Sequence, residues 1–228
     1  IFFVFASAKR SEQNRVWVGL SKETAHQLGT PISSLLAWVE ILKEEKVNPD
    51  LMTEMEKDVN RLRTIAERFS KIGSIPELTP TSLDTLLQNS LSYMRKRTSD
   101  KVQITYHFKD EMPITLALNQ PLFEWVIENL CKNAIDAMEG EGHINVEVAQ
   151  EKEKVIIDVS DTGKGIPKSK FDAVFSPGFT TKKRGWGLGL SLVKRIIEEY
   201  HKGKIFVKHS GIDKGTTFRI ILSKQIKN

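Results

Sequence analysis

Between residues 7 and 46, apolar side chains return at spacings of four and three: Leu28, Ile32, Leu35, Val39, Leu42. An α-helix turns about 100° per residue, so this rhythm gathers them into one stripe and predicts a long helix. The run EKVNPD breaks it, and Pro49 is expected to force the turn. A second helix is expected over about 50–72, with Met55, Val59, Leu62, Ala66 and Phe69 as its stripe. Two antiparallel helices with narrow stripes bury little by themselves. They predict half of a four-helix bundle, and so a homodimer. The alternative is that the stripes pack on the rest of the chain.

The stretch GSIPELTP, 73–80, reads as a linker, and the rhythm changes beyond it. A helix is expected over about 81–97, and strands at KVQITYHF, ITLAL, HINVEVAQ, KVIIDVSD, GKIFVKHS and TTFRIILS. Helices at about 120–138 and 188–202 interrupt them. Strands broken by helices predict a mixed sheet covered by helices on one face, an α+β chain overall. The expected divisions are a leading helix over 1–20, the hairpin over 21–72, the linker, and the mixed domain over 81–228.

Composition narrows the partners. The 228 residues include one cysteine, Cys131, which excludes an intrachain disulfide framework. The net charge of +5 suits an anionic ligand or a membrane inner surface. No finger, basic zipper or stacking motif supports nucleic acid, and the charges are interspersed as on a solvated surface. The chain begins IFFVFASAKR. Five apolar residues cannot span a bilayer, which takes about 20. Two readings stand: the end of a longer span with Lys9, Arg10 and Arg15 as its cytoplasmic flank, or an ordinary helix start. The first makes the chain the cytoplasmic portion of an inner-membrane protein.

One histidine stands apart from the stripe. His26 falls roughly 160° from Leu28, on the solvent side of the first helix. Gly29 and Pro31 weaken the helix within one turn of it, at a cost of up to about 1 and about 3 kcal/mol. A histidine that must meet two partners gains from such a bend. Thr30, one turn on, shares nearly the same face.

The second half carries an ordered set of short stretches. In ENLCKNAIDAM, Asn129 and Asn133 are four apart on one helix face beside Lys132, and amide oxygens suit a hard cation such as Mg²⁺. In DVSDTGKGIP, Asp161 ends a strand, where a carboxylate can accept from an exocyclic amine; Gly163 and Gly165 let backbone approach a base. In FSPGFTTKKRGWGLGL, Gly185, Gly187 and Gly189 open a helix whose free N–H groups suit phosphate, with Lys182, Lys183 and Arg184 adding cations. This is no Walker A loop, because no Gly-Lys-Ser/Thr follows. KGTTF reads by default as a hairpin turn.

In this order the stretches resemble a sensor histidine kinase of two-component signalling, over about 21–222. AHQLGTPISSL is similar to the phosphoacceptor box. NLCKNA, DTGKGIP, FSPGFTTK and GWGLGL are similar to the N, first G, F and second G boxes of the ATP-binding domain. The resemblance implies a dimeric helical hairpin carrying His26, followed by an α/β sandwich of the Bergerat type that binds ATP and Mg²⁺. It implies that Asn133 holds Mg²⁺, that Asn129 and Lys132 sit near the phosphates, and that Asp161 binds the adenine amine. It further implies nucleotide contacts from Gly163, Gly165, Ile166, Phe175, Thr180, Thr181, Lys182, Gly185, Gly187, Leu188, Gly189, Leu190 and Thr216, with Phe175 to Leu190 as a lid. The partner it implies is a response-regulator receiver domain, to whose aspartate the phosphoryl group passes. Thr30 stands where members with phosphatase activity position water.

Two positions separate this chain from its neighbours in that resemblance. Related sandwich ATPases carry a catalytic Glu where Asn129 stands, and an amide cannot take water's proton. The kinases usually have an acid after the phosphoacceptor, where this chain has Gln27. Gln27 cannot be a base, but its amide oxygen can accept an N–H bond and hold the neutral tautomer of His26. Glu23, roughly 60° from His26, is a possible substitute base. Two other functions stay open: a degenerate kinase acting as a scaffold or phosphorelay, and a sandwich ATPase.

Overall fold

The computed structural model describes residues 32–44, 49–50, 52–53, 55–56, 58–60, 62–63, 76–109, 113–182 and 187–224. They belong to two compact units that divide between Pro76 and Glu77. His26, Gln27, Thr30, Gly185 and the expected leading helix 1–20 lie outside the described residues. Among the described residues no helix is long and apolar enough to cross a membrane.

In the first unit, helix α1 covers 32–44, and the helical residues of α2 begin at Pro49 and reach 63. Pro49 is itself helical. Thr53 Oγ1 donates to the Pro49 carbonyl at 2.9 Å. Ile32, Val39, Met52 and Val59 are buried together, with Leu36, Leu42 and Met55 against them. Lys43 ties the two helices, pairing with Glu40 at 3.1 Å and Glu56 at 3.0 Å. Leu35 and Leu62, expected in the buried stripes, are exposed beside Trp38 and Ile41. The apolar arc of α1 is wider than one helix–helix seam, so half of it faces outward.

The second unit is a mixed five-stranded sheet with helices on one face. Its elements run β1 Thr79–Ser82, α3 Leu83–Arg95, β2 Val102–Phe108, β3 Thr115–Leu118, α4 Gln120–Ala137, β4 Gly142–Glu151, β5 Lys154–Asp161, α5 Gly189–Arg195, β6 Lys204–Ser210 and β7 Thr216–Ser223. The sheet order is β2-β4-β5-β7-β6. Only β2–β4 is parallel; the other pairs are antiparallel. Val146, Val159 and Phe218 stand in one cross-strand row, and Val148, Ile157 and Ile220 in the next, all buried on one face. Leu86, Leu87 and Leu91 of α3 and Phe123, Val126, Ile127 and Leu130 of α4 complete that core. The period-two alternation thus turns one sheet face toward the helices and leaves Asn145, Glu147 and Arg219 on the other.

Local signals place the helices. Asn119 caps α4, its side-chain oxygen accepting from Leu122 N at 3.2 Å, and Pro121 lies in the first turn. Ser82 caps α3 in the same way, accepting from Thr85 N at 3.4 Å. Two features depart from the sequence pattern. Thr79 and Pro80, at the end of the stretch expected as linker, are strand residues paired with Leu118 and Ala117. The helix expected over 188–202 is α-helical only to Arg195, and Ile196–Tyr200 form a π-helical turn.

Candidate functional site

α4 presents the asparagines. Asn129 and Asn133 lie one turn apart, and Asp136, three residues further, shares their face. Asn129 Nδ2 donates to the Trp125 carbonyl at 2.9 Å, which turns its oxygen toward the start of α5. A Cβ on Gly189 would lie 3.1 Å from that oxygen, so the first residue of α5 sits directly over Asn129. Among the described residues no cap side chain is hydrogen-bonded to the amides at this helix start. Asn133 Oδ1 accepts from Lys182 Nζ at 3.0 Å, and the same ammonium pairs with the Asp136 carboxylate. The buried Asn133 Nδ2 has no partner among the described residues. The amide is thus oriented with its oxygen toward a cation, and the neighbouring donors are a carboxylate and an open aqueous side. This donor set fits Mg²⁺, which takes few protein oxygens and keeps water and phosphate.

The other end of the site is a carboxylate at the end of β5. Asp161 Oδ1 accepts from Gly163 N at 2.8 Å and from Thr216 N at 3.2 Å. No described residue is hydrogen-bonded to its second oxygen, which remains able to accept from a ligand amine. Burial pushes the Asp161 carboxyl above its ordinary range, and the two N–H donors oppose that shift. Thr216 is buried, and its hydroxyl lies 3.0 Å from Ser210 Oγ. Ser210 in turn donates to the Gly215 carbonyl at 2.9 Å and accepts from Ile166 N at 2.7 Å. Ile166 is half-buried against the core.

The glycines of this loop serve packing of backbone on backbone. A Cβ on Gly163 would meet the Ala137 carbonyl carbon at 2.7 Å, and one on Gly165 would meet the Gly211 carbonyl oxygen at 1.8 Å. The sequence pattern assigns both to approach of a base; the atoms they actually admit are protein backbone. Lys164 N donates to the Ala137 carbonyl at 3.0 Å. The Asp161 loop therefore leans on the last turn of α4, one turn beyond Asn133. This contact joins the carboxylate end and the asparagine end into one site.

The remaining expected residues divide. Gly187, at φ +66°, accepts through its carbonyl from Gly178 N at 3.1 Å and closes the base of the intervening segment. Thr180 and Thr181 are exposed, and Thr180 Oγ1 accepts from Lys182 N at 3.1 Å. Leu188 and Leu190 are half-buried, Leu190 against the core. Phe175, expected to open the lid, is instead buried, its ring 6.0 Å from that of Phe218 in an edge contact. An aromatic ring between two helical turns and a sheet gains more from burial than from solvent. Lys132, exposed, pairs with the buried Glu128 at 3.6 Å. Ser210 and Asp136 are not singled out by the sequence motifs. For Asp136 a signal is present, since 129, 133 and 136 follow helical spacing; for Ser210 there is none.

The comparisons with known proteins agree with this geometry. Residues 118–226 match the family described as histidine kinase-, DNA gyrase B-, and HSP90-like ATPase. The sensor histidine kinase ZraS of Escherichia coli K12 is 32% identical over 225 residues, which cover 96% of this chain and 48% of the relative. The chain thus spans about half the length of the curated relatives it matches. The catalytic domain of histidine kinase ThkA in a nucleotide-free form superposes with a TM-score of 0.59 at 29% identity, covering 65% of this chain and 96% of that one. ThkA crystallised with the response regulator TrrA gives a TM-score of 0.62 at 23% identity over 99% of this chain and 67% of that one, a likeness of fold.

Proposed function

We propose that this chain, whose residues 118–226 match the histidine kinase-, DNA gyrase B-, and HSP90-like ATPase family and which is similar over most of its length to sensor histidine kinases, is an ATP-dependent protein-histidine kinase. The observation that carries this reading is the joining, along α4, of a half-satisfied, half-buried carboxylate to a pair of amide oxygens. Asp161 accepts the adenine amine. Asn133, with Asn129 and the amides opening α5, faces the triphosphate, and Asn133 holds Mg²⁺. The metal would draw charge from the phosphate oxygens and orient them. Phosphoryl transfer depends mostly on positioning and on such charge stabilisation.

The acceptor is His26. The lone pair of its neutral imidazole forms the bond to the γ-phosphorus, ADP leaves with the bridging oxygen, and the proton on the other ring nitrogen leaves to water afterwards. Gln27 holds the tautomer, and Thr30 positions water when the kinase dephosphorylates its partner. The donated group passes on to an aspartate of a response-regulator receiver domain. Two copies of the hairpin form the dimer: Leu35, Trp38, Ile41 and Leu62 are exposed apolar side chains on one hairpin, and a second copy buries them. The test is incubation with Mg²⁺ and γ-labelled ATP, wild type beside His26→Ala. Acid-labile, base-stable label that the substitution abolishes is the expected result. Steady phosphate release that survives His26→Ala would replace the kinase reading with an ATPase. Nucleotide binding with no label in either protein would replace it with a scaffold.

A further inference from the structure

We propose that Asp136 is a cation-side residue of the nucleotide site and that Lys182 is its internal counter-ion when no nucleotide is bound. This deepens the ATP-binding reading and rests on it. The Lys182 ammonium touches two oxygens at once, Asn133 Oδ1 at 3.0 Å and the Asp136 carboxylate. It stands where a divalent cation held by Asn133 belongs. The Asn133 amide nitrogen is buried without a partner among the described residues. The side chains of Lys182 and Asp136 are 42% and 53% exposed, so their pairing is weak and exchanges readily.

Charge drives the exchange. A polyphosphate arriving without metal meets the Asp136 carboxylate as a like charge, and finds Lys182 already engaged. Asn133 and Asp136 would supply oxygens to a divalent cation, which would neutralise the carboxylate in place of Lys182. Lys182 is then released to the phosphate oxygens, to which a flexible ammonium is suited as a point charge. One exchange thus turns a repulsive acid into a ligand and frees a donor. Asp136 thereby sets how strongly nucleotide affinity depends on Mg²⁺.

Equilibrium binding of ATP to the whole chain, measured by calorimetry in EDTA and in excess Mg²⁺, tests this. Asp136→Asn should tighten metal-free binding about 3- to 10-fold and lower the Mg²⁺ enhancement by at least about five-fold. Lys182→Met should weaken binding under both conditions. Adenosine, which lacks phosphates, should bind Asp136→Asn as it binds wild type. An unchanged Mg²⁺ enhancement in Asp136→Asn, with wild type binding ATP normally, overturns the inference alone. So does a loss of adenosine binding in that variant, since Asp136 is assigned to the phosphate end only. A wild-type chain that binds no ATP overturns the reading beneath it as well.

Discussion

Replacing Gly165 by alanine separates two kinds of backbone constraint within the site. Gly165 has φ +75°, which costs an L-residue about 1–2 kcal/mol. Its added Cβ would also lie 1.8 Å from the Gly211 carbonyl oxygen and 2.7 Å from its carbon. Neither atom can rotate away. The Gly211 turn is held to the Asp161 loop by Asp213 N to the Lys164 carbonyl and Gly215 N to the Gly163 carbonyl, both 2.9 Å. Relieving the clash breaks or stretches these bonds, each worth about 0.5–1.5 kcal/mol. The expected loss is therefore about 2–5 kcal/mol. Gly140 is the control. It has φ +85° but nothing within 4 Å of an added Cβ, so Gly140→Ala should cost only about 1–2 kcal/mol. Cys131 supplies the assay. It is the chain's single cysteine, fully buried in this unit, and burial pushes its thiol up to about 12. A thiol reagent then reports unfolding of this unit and nothing else as urea is raised. Equal urea midpoints for the two variants would refute the argument from the Gly211 contact.

Two titratable groups shifted by burial, Asp161 and His201, give two more expected outcomes. Asp161→Asn should weaken adenine-nucleotide binding about 10- to 100-fold, the worth of a hydrogen bond to a charged group. Because its folded carboxyl is raised, ionising it opposes folding as pH climbs above the ordinary value of 3.8; Asp161→Asn should match or exceed wild-type stability near neutrality. A variant that binds normally would remove Asp161 from the site. His201 is buried, donates from Nδ1 to the Ile196 carbonyl at 2.9 Å and accepts at Nε2 from Asn119 N at 3.0 Å. Burial holds it below its ordinary 6.5, so its contribution is whole above that value and is lost as pH falls through the folded value. His201→Gln keeps a donor and an acceptor but takes no proton, and should flatten the fall in urea midpoint between about pH 7 and pH 5.

Much of the second unit was legible along the chain. The strand TTFRIILS begins and ends where its alternation does, at Thr216–Ser223, while KVIIDVSD, buried on both faces from Val155 to Val159, is legible at Lys154–Asp161 as a short apolar run. A strand with one buried face announces itself by period two, whatever lies across from it. β1 was not legible, because TPTS carries no apolar alternation and is a strand only through its pairing with β3. The π-helical turn at Ile196–Tyr200 is equally silent in composition. In the hairpin, periodicity marked the apolar positions but not which of them form the seam. Leu35 and Val39 look alike in sequence, and only the placement of α2 buries one and exposes the other.

The residue types of the site were thus set locally: an acid ending a strand, two amides at helical spacing, glycines where the chain turns. What each touches was set by elements far apart in the chain. Gly165 must be glycine because Gly211 crosses it, and Asp161 is half-satisfied because Thr216 arrives from β7. Lys182 meets Asp136 across 46 positions, a charge pairing that no motif encodes. Local sequence dictates dihedral preference and the rhythm of burial, which act over a few residues. Contacts between distant segments depend on the packing of the whole core, and there the tertiary structure alone decided.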